Sequence, residues 1–590
     1  MSEIVNLSRR RFLKSSALAG GGLVLGFHIP GLTRSARADQ GTTPGFKPNA
    51  FLRVGKDDSI TVVVNHSEMG QGVYTGLPMI LAEELDADWT KVRYEPAPVD
   101  SVYNHSVFGM QMTGGSTSTW SEWDRLRKAG AAARYLLVYA AAATWGVPAS
   151  SCRTESGAVL HDESGRKLNY GKLVDIASTL TPPGDPPLKN PNAFRVIGKP
   201  TKRLDTPIKT NGAAVFGLDV ALPGMLVAVV ARPPVFGGKV KSFNAARAKA
   251  VPGVRDVVQI DRGLAVVADG FWPAKLGREA LAVEWDNGPL ADLDTDKQKA
   301  AYAQLAGSEG AVAVNDGDVD SALGSADRML EAEYDLPYLA HATMEPLNCV
   351  ADVRADSCTV WTGTQFQTAD HAAAAKDAGV PLRNVSLHTT LLGGGFGRRA
   401  VPDSDFVREA VQISRAVAKP VKVVWTREDD MQGGRYRPRA LHTVRAGLDK
   451  RGLPVAWQQR IVCQSFMAGT PFEPFVIRNG VDETAVEGAR ELPYAIPNRR
   501  LEWHEAKDGV PTLWWRSVGH SHTAFVVESF IDELAHAAGQ DPLDYRRSLM
   551  GDGHARHRRV LDLVAEKAGW GGRPPEGRGR GIAEIGRAHV

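Results

Sequence analysis

Residues 391–399 read Leu-Leu-Gly-Gly-Gly-Phe-Gly-Arg-Arg, and the strand, loop and helix around them decide the fold. Upstream, Val385 to Leu392 alternate as a strand does, and downstream Phe406, Val407, Ala410, Val411, Ser414 and Val417 mark the buried face of a helix over about 403–418. Residues 60–74 repeat the plan: the β-branched run Ile60–Val64, the loop Asn-His-Ser-Glu-Met-Gly-Gln-Gly, then a helical pattern over about 75–85. A glycine loop that opens a helix offers free N–H groups and the positive end of the helix dipole, which suits an anion. Two such loops point to a large phosphorylated ligand; tight turns alone are the other reading. A third loop, Met-Thr-Gly-Gly-Ser-Thr-Ser (112–118), precedes an alanine-rich helix reaching Tyr139, for which Thr119 and Glu122 predict a capping box.

Familiar nucleotide and nucleophile motifs fail. Counted from Gly393, the third glycine of a dinucleotide fingerprint falls on Arg398, no loop ends in Gly-Lys-Ser/Thr, and the nearest serine elbow, at Ser116, lacks its closing glycine. The 590 residues, 43% hydrophobic and 23% charged, suit a multidomain globular chain. Cys152, Cys349, Cys358 and Cys463 lack paired spacing, which argues against iron–sulfur or structural zinc sites in this chain.

The first 38 residues form a leader: Ser-Arg-Arg-Arg-Phe-Leu-Lys (8–14), an apolar glycine-rich run over 17–27, and Ala36-Arg37-Ala38 as a cleavage site. This matches a twin-arginine export signal, whose cargo crosses folded and with its cofactor inserted. The expected location is the periplasm, and the apolar run is too short for a stable membrane span. Removing the leader, with six basic residues and one acid, takes the formal charge from +3 to −2, so no nucleic-acid partner is expected. Beyond it, residues 39–180 read as one α/β segment, 181–199 as a Pro/Asn-rich linker, 200–295 as a compact α+β domain of short strands, and 310–584 as a second mixed unit.

Gly-Gly-Gly-Phe-Gly-Arg-Arg, Glu-Met-Gly-Gln-Gly, Thr-Gly-Thr-Gln-Phe-Gln and Met-Thr-Gly-Gly-Ser together resemble the large molybdopterin-binding subunit of the xanthine dehydrogenase/aldehyde oxidase family. The order, with Glu-Met-Gly-Gln-Gly first, resembles the isoquinoline 1-oxidoreductase β-subunit branch, and the likeness covers nearly all of residues 50–584. It implies an α+β multidomain fold in which 200–295 is an α/β hammerhead domain between molybdopterin-binding domains.

By this resemblance the backbone of Gly394, Gly395, Phe396 and Gly397 lies against the pterin and metal. Gln365 donates a hydrogen bond to an oxygen on molybdenum. Gly70, Gln71, Gly72, Thr113, Gly114, Gly115 and Ser116 hold the pterin and its phosphates, Arg516 faces cofactor and substrate, and Glu345 is an acid near the substrate channel. Each has a plainer reading: Gln365 as a surface strand residue, Arg516 and Glu345 as structural partners, Arg398 and Arg399 as solvated charges. His66, His105, His520 and His522 are taken as ordinary, because the family holds molybdenum through the pterin dithiolene and not through protein ligands.

The resemblance further implies hydroxylation of an N-heteroaromatic or aldehyde carbon with oxygen from water. The cofactor would be molybdopterin, in bacterial relatives the cytosine dinucleotide, and the partners a small [2Fe–2S] subunit and a cytochrome c-type acceptor. The family's catalytic glutamate lies in a C-terminal Gly-x-Gly-Glu segment not found here. The chain runs Glu-Gly-Arg-Gly-Arg-Gly-Ile-Ala and then Ile585–Val590, residues encoded by a common sequencing adapter. The expectation is a C-terminally truncated, inactive chain with a non-native tail over 585–590.

Overall fold

The computed structural model describes residues 23–25 and 51–585. The leader and tail readings lie outside the described residues, apart from Ile585 and from Leu23–Leu25, which pair antiparallel with Leu52–Val54.

The first body is built on Ile60–Val64, whose five side chains are all buried. This strand pairs in parallel with Val92–Pro96 across helix α1 (Val73–Leu85), so the Glu-Met-Gly-Gln-Gly loop leaves the carboxyl end of a parallel strand. Helix α2 (Ser118–Trp145) lies along α1, and the close approach falls at Gly130, where a Cβ would stand 2.4 Å from the Leu81 carbonyl oxygen.

The expected capping box does not form. Thr117 is the N-cap, Thr119 lies inside the helix, and α2 continues past Tyr139 to Trp145. Glu122 is drawn inward instead, fully buried, accepting from Arg125 Nε (2.7 Å) and Asn65 Nδ2 (3.3 Å). The partnered charge outweighs the cap: Arg125 stands one turn further along the same helix, and Asn65 comes from the loop after the first strand.

Residues 181–199 carry only a short 3₁₀ turn, yet they are strapped to α1. Glu83 Oε2 accepts the N–H groups of Arg195 (2.9 Å), Val196 (2.7 Å) and Ile197 (3.1 Å), and Glu84 Oε2 accepts that of Lys189 (3.0 Å). The segment read as a linker is fixed at several points.

The 200–295 region is not closed on itself. Its strands Leu226–Ala231, Val254–Ile260 and Gly263–Ala268 extend a seven-stranded sheet whose other members are Asn348–Val353, Cys358–Thr362, Val385–Thr389 and Val421–Val424. The join is the parallel pairing of Leu226 with Val421. Helices α3 (Gln367–Ala378) and α4 (Asp405–Val417) pack on this sheet, α4 burying Phe406, Val407, Ala410, Val411 and Ser414 as its periodicity requires. A third body wraps helix α5 (His520–Ala537) against a five-stranded sheet that includes Ala440–Leu448 and Pro454–Cys463.

Gly→Ala in a helix interior ordinarily stabilises by about 1 kcal/mol. At Gly130 the sign should reverse: we expect Gly130→Ala to destabilise by ~1–3 kcal/mol through overpacking, read as a lower thermal midpoint.

Candidate functional site

Cys358–Thr362 and Val385–Thr389 are adjacent parallel strands, with Thr362 opposite Thr389. The Thr-Gly-Thr-Gln loop and the Leu-Leu-Gly-Gly-Gly-Phe-Gly loop therefore leave the same sheet end side by side, the place where open α/β sheets bind ligands.

The glycine loop is held from beneath by its own arginine. Arg399 is 1% exposed, and its guanidinium donates to the carbonyls of Gly394 (2.9 Å), Gly363 (3.1 Å) and Glu345 (2.9 Å) and to Glu345 Oε2 (3.1 Å). Glu345 Oε2 also accepts the Gly393 N–H (2.8 Å), while Oε1 accepts from Leu218 N (3.2 Å) and Asn348 Nδ2 (2.9 Å). The Glu345 carboxylate is thus a strut under the loop. Arg398, equally buried, forms a two-point pair with Asp405 (3.1 and 2.7 Å) at the start of α4. The solvated-charge reading of both arginines is wrong: the loop carbonyls and two buried carboxylates supply the partners that water would otherwise provide.

Gln365 joins three loops. Its Oε1 accepts the Gly397 N–H (3.2 Å), its Nε2 donates to the Thr113 carbonyl (3.0 Å), and its backbone carbonyl accepts the Thr113 N–H (2.8 Å). Because both side-chain partners are backbone groups, the orientation of the amide is fixed. One Nε2 hydrogen is left over. Gln365 is 4% exposed, so it is no surface strand residue. A Cβ on Gly395 would stand 2.3 Å from Gln365 Oε1, so only glycine allows this contact.

Two of the three loops do not offer an anion a free helix start. At Glu-Met-Gly-Gln-Gly the N–H groups of Gly70 (2.8 Å), Gly72 (3.2 Å) and Tyr74 (3.1 Å) donate to the Glu68 carboxylate, which also meets Arg203 (2.9 Å) and Lys209 (3.4 Å). The protein supplies its own anion there. Gln71 closes the turn, accepting from Met69 N (2.8 Å) and donating to the Ser67 carbonyl (2.7 Å). At Gly-Gly-Gly-Phe-Gly the loop does not open α4 directly, since the turn Arg398–Ala400 and the N-cap Ser404 intervene.

The third loop is different. Thr113 Oγ1 accepts from Ser67 N (2.8 Å), and Thr117 Oγ1 turns away from the helix to donate to the Gly114 carbonyl (2.9 Å). Helix α2 therefore starts without a side-chain cap, beside the exposed Gly115 and Ser116. A long helix with an uncapped first turn is suited to a phosphate group.

On the opposite side Arg516 donates its backbone N–H to the Phe396 carbonyl (2.8 Å), leaving its side chain exposed. Ser517 (φ 93°) and Val518 (φ 44°) follow in left-handed conformations, a strain that for a β-branched residue points to a functional segment. Sequence reasoning missed the aromatic wall beside it: Phe472 meets Trp514 (5.7 Å between centroids), Phe108 (5.5 Å) and Phe366 (6.5 Å). These residues lie far apart in the chain, and no local pattern marks them as neighbours.

Gln365's spare N–H, the left-handed Gly394, Phe396 and Gly397, and the uncapped start of α2 fit a flat cofactor with a phosphate tail. Two molybdopterin cofactor-binding domain profiles match residues 6–222 and 304–550. The chain is 32% identical to isoquinoline 1-oxidoreductase subunit β of Brevundimonas diminuta, over 96% of this chain and 78% of that one. It is also 32% identical to the membrane-bound aldehyde dehydrogenase [pyrroloquinoline-quinone] of Gluconacetobacter polyoxogenes, over 96% and 77%. Among solved structures, quinoline 2-oxidoreductase from Pseudomonas putida 86 shares the fold at a TM-score of 0.50 and 18% identity, covering 63% of this chain and 54% of that one.

Fold and site together define a molybdopterin-binding oxidoreductase subunit of the molybdenum-hydroxylase type. The chain belongs to the xanthine dehydrogenase/aldehyde oxidase family, in the branch of the isoquinoline 1-oxidoreductase β subunits.

Removing one partner of the buried Arg399–Glu345 pair should cost ~3–5 kcal/mol; we expect Arg399→Met to show this in urea unfolding, with new protease sensitivity at 393–400. A pH effect arises at Asp370, which lies under the Thr-Gly-Thr-Gln loop and accepts from Thr364 Oγ1. Burial, aided by the charges of Asp405 and Asp403 and opposed by hydrogen bonds from Ser404 and Thr364, pushes its carboxyl up to about 7. The folded state then holds a proton that the unfolded chain releases near pH 4, so this residue's contribution to stability falls as pH rises from about 4 to 7. Asp370→Asn should flatten that part of the stability–pH curve; an unchanged slope would contradict the assignment.

Proposed function

We propose that this chain is the molybdenum-cofactor subunit of a hydroxylase that oxidises an N-heteroaromatic compound or an aldehyde with oxygen from water. The observation that carries the reading is the whole-chain relationship to an isoquinoline 1-oxidoreductase β subunit, set on loops that Gln365 and Arg399 hold at one sheet end. The cofactor, when bound, supplies two-electron chemistry at an electron-poor carbon.

The chain's own residues do the rest. Gly394–Gly397 would give the cofactor a floor whose backbone is immobilised by Arg399, and the remaining Gln365 N–H would be free to donate to a cofactor oxygen. The uncapped first turn of α2 takes the phosphates of a cytosine dinucleotide. Arg516, on its strained segment, meets a polar substrate group. The aromatic wall of Phe108, Phe366, Phe472 and Trp514 favours a flat ring and excludes water. Glu345, turned onto Arg399, keeps the floor in place; the catalytic base comes from elsewhere.

The four free cysteines make no cluster, and electrons pass to a small [2Fe–2S] subunit and then to a cytochrome c-type acceptor. Among the described residues no helix is long and apolar enough to cross a membrane. The twin-arginine motif supports export to the periplasm after cofactor insertion. A second reading, a quinone-dependent dehydrogenase, is favoured by the name of the Gluconacetobacter relative.

Purification of a chain that carries the Gly-x-Gly-Glu segment, with a co-expressed [2Fe–2S] subunit, separates the two. Stoichiometric molybdenum, and dye-linked oxidation of N-heterocycles or aldehydes, are expected; activity with a bound quinone and no molybdenum would refute the hydroxylase. In the active complex, Gln365→Leu should cost ~10²-fold in kcat/KM and lower the retained molybdenum.

A further inference from the structure

Away from the cofactor loops, a cavity of about 870 Å³ opens beside the seven-stranded sheet. One wall is the turn between strands Val254–Ile260 and Gly263–Ala268. The last turn of α3 and the last two turns of α4 make the others, and Lys239 stands at the start of the strand Lys239–Asn244. The volume falls within the roughly 300–1,000 Å³ of small-molecule sites.

This space is separate from the cofactor site. Both helices begin just after the cofactor loops, at Gln367 and Asp405, whereas the cavity takes Lys376 and Asp377 from α3 and Gln412 and Arg415 from α4. At the helical rise these residues lie roughly 10–15 Å along the helices from their starts.

The charged side chains divide into a paired set and a free set. Asp261 and Asp377 are tied together through α4. Arg408 Nη2 donates to Asp261 Oδ2 (2.8 Å) and Arg408 Nε to Asp377 Oδ2 (2.8 Å), while Gln412 Nε2 donates to both carboxylates (2.9 Å each). Arg262 is paired with Asp403, ahead of α4. Lys239 and Lys376 have no hydrogen bond or ion pair from their ammonium groups among the described residues. Arg415 has a single bond, from Nη1 to the Asp377 carbonyl (2.9 Å), and no carboxylate.

The acids of the lining are thus already claimed, and three cations remain around one space. Four basic side chains line it against two acids, an excess of two positive charges. A concave wall of one sign concentrates its field and draws in counter-charge. A monovalent ion would leave part of the excess uncancelled and most of the volume unfilled. Two lysines supply point charges, and the Arg415 fork supplies planar donors that suit a carboxylate or a phosphate.

We propose that this cavity is a second ligand site, which takes a small molecule carrying two or more anionic groups, carboxylates or phosphates. Bound there, the ligand ties the Asp261–Gly263 turn to the far ends of α3 and α4.

Calorimetric titration of the full chain with citrate and with pyrophosphate at low salt tests the assignment, with glycerol as the uncharged control. The expected result is a site with a Kd of roughly 10⁻⁴ M for at least one of the two anions, and none for glycerol. The double variant Lys239→Ser/Lys376→Ser should weaken that binding about 10-fold. Its unliganded thermal midpoint should be unchanged, because neither ammonium group holds another part of the chain. Lys299→Ser/Lys450→Ser removes the same charge from outside the cavity and should bind as the unaltered chain does. Tighter binding of citrate assigns carboxylates to the ligand, and tighter binding of pyrophosphate assigns phosphates. No binding of either anion would overturn the site. Equal binding in the two double variants would also overturn it, because the anion would then be held elsewhere, such as the start of α2.

Discussion

The ion pair between Arg399 and Glu345 is the contact on which the rest of the site depends. A guanidinium and a carboxylate are costly to bury apart, and together they need every remaining lone pair and proton satisfied. Here the satisfying groups are the glycine loop itself: the Gly394 carbonyl, the Gly393 N–H and the Gly363 carbonyl of the neighbouring strand's loop. The loop cannot move without stranding a charge. The glycines supply close approach and positive φ, and the arginine that follows them removes the freedom they would otherwise bring.

The loops divide their labour. Glu68 fills the anion-binding turn at Gly70–Gly72 and, with Arg203 and Lys209, ties it to the chain that crosses from the first body to the second. The start of α2 is left uncapped. A rigid floor beside an open helix end suits a ligand that is flat at one end and phosphorylated at the other.

The legible parts of the sequence were those carried by local rules. Strand Ile60–Val64, the helix over 405–417 and the glycine loops follow from periodicity and from glycine's conformational range. The ordered motifs marked Gln365 and the family. What stayed hidden depended on distant partners. Thr119 and Glu122 have the spacing of a capping box, but Asn65, from the loop after the first strand, claimed the glutamate together with the half-buried Arg125 one turn on. Arg398 and Arg399 look like surface charge until Asp405 and Glu345, both remote from the loop or beyond its end, are brought beneath it. The aromatic wall joins residues 108, 366, 472 and 514.

The central claim is that residues 394–397 and Gln365 lie against a molybdenum cofactor. Anomalous diffraction at the molybdenum edge, on crystals of the co-expressed complex, tests it most directly. The account predicts a single strong peak beside Gln365 and the Gly-Gly-Gly-Phe-Gly loop. A peak elsewhere in the chain, or none in crystals of protein that carries stoichiometric molybdenum, would contradict it.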